Sequence, residues 1–264
     1  MSASIEGYTL EEAASLIADV GGYDPQTEAE DLLAKSESVT MFDEFLQRRI
    51  NEHEPVAYIT NHARFRGLDL YIDRRVLIPR KETEPLVEIV RDEVGLAIEK
   101  DARVVDIGTG SGSVALAVKN ECPTLNVLGV DISKDALDVA CINSNALNLD
   151  VEWHEADLLE GVRGDFECVL ANLPYLPTTK RDSYAPEMTE FEPQVALWGG
   201  EDGFDLTRRL LAQVQARKVV RLVALELGIG QEAPVTELIR SAGFPIVFCV
   251  TDSRGDIRAA VGKR

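Results

Sequence analysis

Basic charge is scarce in this 264-residue chain: 27 lysines and arginines face 46 acids, a formal net charge of −19. Such a charge repels phosphate backbones and excludes a generic nucleic-acid binder that lacks a local basic patch. Attraction to a basic partner, or solubility alone, is left open. Cysteine is scarce too. None of Cys122, Cys141, Cys168 and Cys249 forms a C-x-x-C pair, and Cys168 and Cys249 lie in apolar runs, so neither a disulfide framework nor a thiolate metal site is expected. His53, His62 and His154 share no metal spacing, and no metal is expected. No apolar run approaches membrane-spanning length. The opening MSASIEGYTLEEAASLI has acids where a secretory signal needs positive charge, so the expectation is a cytoplasmic protein. Internal repeats, coiled-coil patterning and low-complexity tracts are also missing.

What is present is a change of pattern along the chain. In TLEEAASLIADVGG, Thr9 can cap a helix with Glu12 three residues on, and Gly21-Gly22 can stop it. DPQTEAEDLLAKSES and TMFDEFLQRRINEHE are two more amphipathic pieces, which predicts a small helical domain over residues 1–55. In PVAYITNHARFRGLDLYIDRRVLIP, Tyr58, Ile59, Phe65, Leu68, Leu70, Tyr71 and Ile72 fall in short runs around Asn61 and Gly67. That pattern predicts a linking β-hairpin over residues 56–78. Residues 79–264 alternate helix and strand, beginning with a helix through EPLVEIVRDEVGLAIEK. Strands follow in ARVVDIG, LNVLGVD, VEWHEAD, FECVLAN and RLVALEL, and a strand pair turns at Gly255 to close the chain. The expected class is α/β: a mostly parallel, doubly wound, Rossmann-like sheet with an antiparallel edge.

Three strand ends carry polar groups of interest. VVDIGTGSGSVALAV places Asp106, Gly108, Thr109, Gly110, Ser111 and Gly112 between a strand and a helix, where glycine lets a ligand approach the main chain. The spacing is G-x-G-x-G, not the dinucleotide G-x-G-x-x-G, and a lone glycine loop is weak evidence. Asp131, ending the next strand, can accept from both hydroxyls of a ribose. Asp157, at the end of the following one, is placed to face an adenine amine. Each acid by itself reads first as a helix N-cap. Together they predict a nucleoside pocket suited to NAD or S-adenosyl-L-methionine, and the glycine spacing and Asp106 favour the second.

The fourth strand, CVLA, ends abruptly in Asn172-Leu173-Pro174-Tyr175. Beside a bound methyl sulfonium, the Asn172 side-chain carbonyl and the Leu173 backbone carbonyl can each accept one N–H of a planar amine. Two acceptors align a poorly nucleophilic nitrogen with the methyl–sulfur bond and stabilise the developing positive charge. Pro174 stiffens the turn, and Tyr175 can pack on the flat face of the acceptor.

ANLPY, with the glycine loop upstream, resembles the [ND]-P-P-[YFW] class of amino-group methyltransferases. More narrowly, the chain resembles the release-factor glutamine methyltransferases, the HemK/PrmC family. EPVAYIT, FRGLDLYID, RVLIPRKETEPLVE, FEPQVALWGGEDGFDLTRRLL and LELGIGQ follow that family's pattern in order. The resemblance implies an S-adenosyl-L-methionine-dependent methyltransferase acting on the glutamine of the Gly-Gly-Gln motif of a peptide chain release factor. It implies that Gly108 to Gly112, Asp131, Asp157, Leu158 and Asn172 hold the cofactor. Asn172, Leu173, Pro174 and Tyr175 would hold the glutamine, with IPRKETE and FEP lining the mouth and the helical domain docking the release factor. Leu173 stands where the family usually has proline, Lys81 replaces the proline of I-P-R-P-E-T-E, and Asn61 replaces a glycine. Neither stable nucleic-acid binding nor membrane association is expected, and a monomer is expected. The alternatives are a ribosomal-protein glutamine methyltransferase and an adenine amino-group methyltransferase.

The basic run Arg64, Arg66, Arg74, Arg75, Arg80 and Lys81 reads either as a solvated face paired with acids or as an RNA contact. Glu82 and Glu84 read as acids at the start of a helix, and the role of Glu192 is left open. Trp153 and Trp198 read as core or pocket lining.

Overall fold

The computed structural model describes residues 4–5, 8–21 and 24–264. Near the N-terminus, α1 (Leu10–Asp19) begins where a capping box is possible. Thr9 Oγ1 accepts from the Glu12 amide at 3.2 Å, and the Glu12 carboxylate accepts from the Thr9 amide at 2.8 Å. Helix α2 (Pro25–Lys35) starts with proline behind an Asp24 cap, and α3 (Val39–Asn51) starts behind Ser38. Gly22, part of the expected stop of α1, lies outside the described residues. The apolar faces of these helices meet around Ile17, Leu32, Phe42 and Leu46.

The expected extended run at Tyr58 and Ile59 is instead a short helix, α4 (Val56–Thr60). Pro55 supplies the starting φ of −58°, and its carbonyl accepts the amides of Tyr58 and Ile59. Asn61, with φ 51°, ends the turn in the left-handed region. Five residues are too few to show a helical period, and local turn chemistry overrode β propensity. Ile59 buries into the helical bundle and Tyr58 into the core beneath the sheet, so α4 joins the two cores. The hairpin follows as expected: His62–Phe65 pairs antiparallel with Leu68–Tyr71 across Arg66-Gly67. Both turn residues have positive φ, as a two-residue hairpin turn of matching twist requires.

Helix α5 (Glu84–Glu93) is shorter than the predicted span to Lys100. Gly95, with φ 78°, turns the chain, and its amide donates to the Ile98 carbonyl at 2.7 Å. The sheet then forms from β1 (Arg103–Ile107), β2 (Asn126–Asp131), β3 (Glu152–Glu155), β4 (Cys168–Ala171), β5 (Leu222–Glu226), β6 (Ile246–Thr251) and β7 (Ile257–Lys263). Its order is β6-β7-β5-β4-β1-β2-β3, with β1 to β5 parallel and β6 and β7 antiparallel at one edge. This is the predicted class.

Helices α5, α6 (Ser113–Glu121) and α7 (Lys134–Leu147) cover one face of the sheet. A short helix, α8 (Pro186–Phe191), lies in the connection after β4. Helices α9 (Asp205–Gln215) and α10 (Glu232–Ser241) cover the opposite face. Both faces are dry, so the central strands read as unbroken apolar runs: Cys168 and Leu170 point into one core, Val169 and Ala171 into the other. The chain runs outward to β2 and β3 from one side of β1 and to β4 and β5 from the other. The carboxyl ends of β1 and β4 therefore flank the crevice where such sheets take ligands. Among the described residues, no helix is long and apolar enough to cross a membrane.

Candidate active site

The glycine loop leaves the end of β1 and is strapped to β2, because the amides of Gly108 and Thr109 both donate to the Val130 carbonyl, at 2.8 and 3.0 Å. Two glycines are needed for different reasons. At Gly110, with φ 55°, a Cβ would meet no atom within 4 Å, so conformation demands glycine and the backbone faces open space. At Gly112, with φ 80°, a Cβ would also lie 2.8 Å from Trp153, so packing as well as conformation demands glycine. Trp153 is thereby a support for the loop, its indole N–H donating to Ser144 Oγ at 3.3 Å. Beneath the loop sits Asp106, which accepts from the Thr109 hydroxyl at 2.6 Å. Burial pushes its carboxyl up to about 7, against the Thr109 and Ala115 hydrogen bonds.

Asp131 accepts from the Gly110 amide and the Ser133 amide, each at 2.9 Å. Ser133, not Asp131, caps α7, which removes the bland reading of this acid. Burial raises its pKa, opposed by the backbone donors. Asp157 lies two residues past the end of β3, and its carboxylate pairs with Arg209 of α9 at 2.7 Å. Leu158, buried beside it, holds a φ of 55°, a strained position for a branched side chain.

One cavity of about 180 Å³ brings these groups together. Gly108, Thr109, Gly110, Ser111, Asp131, Asp157 and Leu158 line it, and so do Asn172, Leu173 and Pro174. Gly112 and Tyr175 do not. Apolar walls come from Ile132, Ala156 and Leu206, while Arg80, Thr83, Pro193 and Val195 bring IPRKETE, the proline of FEP and the segment after it to the cavity.

Asn172 follows directly on β4. Its side-chain amide nitrogen donates to Thr83 Oγ1 at 3.2 Å, an arrangement that points the amide oxygen away from Thr83. Leu173 is buried, and its side chain packs against Gly108. Tyr175 turns from the cavity: its hydroxyl donates to Glu226 Oε1 at 3.2 Å, and its carbonyl accepts from Gln231 at 2.9 Å. Glu226 ends β5. Burial raises its carboxyl to about 7, opposed by the neighbouring Thr83 and Tyr175 hydroxyls.

The arginines of the basic run face acids: Arg64 meets Asp69, Arg66 meets Glu88 and Glu121, Arg74 meets Glu54, and Arg75 meets Asp73. Arg80 pairs with Glu192, whose carboxyl burial raises and Arg80 lowers. Glu82 and Glu84 face Arg254 and Arg66. Trp153 is core-packed, as read, whereas Trp198 carries Arg181 over its ring at 4.5 Å. Thr83, Arg209, Glu226 and Gln231 were not singled out from the sequence. Thr83 lies in IPRKETE, Arg209 in FEPQVALWGGEDGFDLTRRLL, and Glu226 and Gln231 in LELGIGQ, but nothing in their local spacing marks them.

The methyltransferase small domain family matches residues 83–191. A release factor glutamine methyltransferase from Koribacter versatilis (strain Ellin345) is 36% identical over 227 residues, covering 84% of this chain and 79% of that protein. One from Agrobacterium fabrum (strain C58 / ATCC 33970) is 34% identical over 267 residues, covering 97% and 90%. Among solved structures, the hMettl16 catalytic domain in complex with MAT2A 3'UTR hairpin 1 superposes with a TM-score of 0.63 at 14% identity, covering 99% of this chain and 95% of that one. That last likeness is one of fold.

Proposed function

Because the chain belongs to the release factor glutamine methyltransferases, we propose that it methylates the side-chain amide nitrogen of the glutamine in the Gly-Gly-Gln motif of a peptide chain release factor, with Asn172 and Leu173 as the groups that hold that amide. The observation that carries this reading is a single cavity lined by both the glycine loop and Asn172. S-adenosyl-L-methionine, when bound, supplies an electrophilic methyl on a sulfonium. The residues present fit it: the backbone is open at Gly110, a carboxylate stands beside it on Asp131, and apolar side chains form the opposite wall. Gly108 to Ser111, Asp131, Asp157 and Leu158 would hold the cofactor, and Gly112 would shape the loop from behind.

Asn172 Oδ1 and the Leu173 carbonyl each accept one N–H of the glutamine amide and turn its nitrogen toward the methyl. Among the described residues, no hydrogen bond to the Leu173 carbonyl competes with that role. Both acceptors gain strength as positive charge develops on the nitrogen, so they stabilise the transition state more than the ground state. No side chain need act as base, since the methylated nitrogen is acidic enough to release its proton to water. Leu173 in place of proline leaves the carbonyl in position and loses one fixed φ.

Residues 1–55 would dock the release factor, residues 56–78 link, and residues 79–264 catalyse. The net charge of −19 supports a protein partner over a nucleic acid, and the protein would act as a cytoplasmic monomer. The test is transfer of labelled methyl to release factor, ribosomal protein and DNA side by side. N172A should abolish transfer to the release factor while changing the cofactor Kd by less than about three-fold, as expected for an interaction made chiefly in the transition state. Transfer by N172A near the original rate would remove the role assigned to Asn172. Transfer only to ribosomal protein or DNA would remove the assigned substrate.

A further inference from the structure

A row of polar side chains on α9, continued just past its end, holds the segment between β3 and β4. Arg209 Nη2 donates to Asp157 Oδ2 at 2.7 Å. One turn on, Gln213 Oε1 accepts the Leu159 amide at 2.8 Å. Beyond the end of the helix, Arg217 donates to the carbonyls of Val162 at 2.7 Å, Gly164 at 3.1 Å and Leu159 at 3.4 Å. The spacing of four puts Arg209 and Gln213 on one helix face, and Arg217 carries the row onward.

The segment held in this way presents Asp157 and Leu158 to the cavity, which Arg209 also lines. Leu158 is buried with a φ of 55°, a conformation that persists only where the surroundings enforce it. Hydrogen bonds from α9 to the residues on either side, Asp157 and Leu159, supply that enforcement.

We propose that Arg209 is a positioning residue that sets the base specificity of the cofactor pocket, holding one oxygen of Asp157 so that the other faces the adenine amine. This rests on the reading of the cavity as an S-adenosyl-L-methionine site with Asp157 at its base end. Among the described residues, no hydrogen bond engages Asp157 Oδ1, while Arg209 occupies Oδ2. A carboxylate only accepts, so it pairs with an amine at C6 of the base and repels a carbonyl there. The Asp157 side chain is 36% exposed, and without the guanidinium it turns freely into water. An ion pair so open to solvent adds little stability, and its gain lies in orientation. Gln213 acts on the backbone beside Leu158 and directs no charge at the base.

The experiment is calorimetric titration of the full-length protein with S-adenosyl-L-homocysteine and S-inosyl-L-homocysteine, which present an amine and a carbonyl at C6. Neither carries a transferable methyl, so no release factor is needed. The wild type should prefer the adenine form by about ten-fold or more, as one hydrogen bond to a charged group provides. D157A should lower that ratio to about three-fold or less, the acceptor being gone. R209A should lower it as far with Asp157 intact, and R209K, which keeps the charge without the planar fork, should recover part of it. Q213L should weaken both ligands alike and leave the ratio in place. An Arg209 that merely supported the fold would do the same. A wild type without preference, or an R209A that keeps it, would overturn the proposal, as would a Q213L that loses the ratio as fully as R209A. Should R209A fail to fold, R209M is read by the same criterion. If D157A keeps the preference, the base does not lie beside Asp157, and the proposal falls with that placement. If the wild type binds neither ligand, the cofactor reading fails first and takes this one with it.

Discussion

Asp106 and Glu226 end two parallel strands at the same edge of the sheet, and burial pushes both carboxyls up to about 7. They differ in what surrounds them. Asp106 accepts from the Thr109 hydroxyl at 2.6 Å, and this bond braces the glycine loop. Glu226 has one oxygen on Tyr175 and the other without a partner. Desolvation is shared, so hydrogen bonding separates the roles: a satisfied acid is scaffold, and an under-satisfied one is poised to change state.

The contrast can be sharpened by measurement. The largest effect is on Glu226. Its folded pKa, about 7, lies above the ordinary 4.5, so folding takes up a proton between these values and wild-type stability falls as pH rises through that window. Glutamine does not titrate. E226Q should match wild type near the lower value and exceed it by up to about 3 kcal/mol near pH 8, as chemical denaturation at the two pH values would read. Slower transfer with greater stability would mark a residue kept for function. D106A should do the opposite, losing about 1–3 kcal/mol at pH 6 by stranding the buried Thr109 hydroxyl. Cofactor binding should weaken together with it, because the loop loses its brace; a stable D106A with intact cofactor affinity would erase the contrast. The smallest effect belongs to Y175F. Losing one hydrogen bond to Glu226 should cost about 0.5–1.5 kcal/mol, read by chemical denaturation at pH 8; an unchanged stability would show that this bond contributes nothing net.

Much of this site is legible in the sequence because its signals are local. A strand followed by G-x-G-x-G, an acid ending the next strand and Asn172 after CVLA each announce themselves within a few residues. Thr83 does not, because its partner Asn172 is 89 positions away and the two meet only once the sheet has formed. Glu226 looks like one more acid in LELGIG until the fold buries it. The same limit explains α4, where five residues show no period, and the end of α5, where Gly95 breaks an amphipathic run that otherwise continues. The pairing of the basic run with acids is likewise a matter of tertiary distance. The sequence places Asp157 to face an adenine amine, and its ion pair with Arg209 joins elements that are remote in sequence.

One further contact, between the helical bundle and the rim of the cleft, bears on how a large partner is handled. Arg49 of α3 is 3% exposed and grips Glu28 of α2 at 2.7 Å and Glu187 of α8 at 2.9 Å. An ion pair so enclosed is screened little by salt, and removing one member strands the others. The bundle and the segment leading to Glu192 are thus fastened like the two jaws of a caliper set to one span. If the bundle docks the release factor as proposed, this clamp keeps the docking face and the cleft at one spacing.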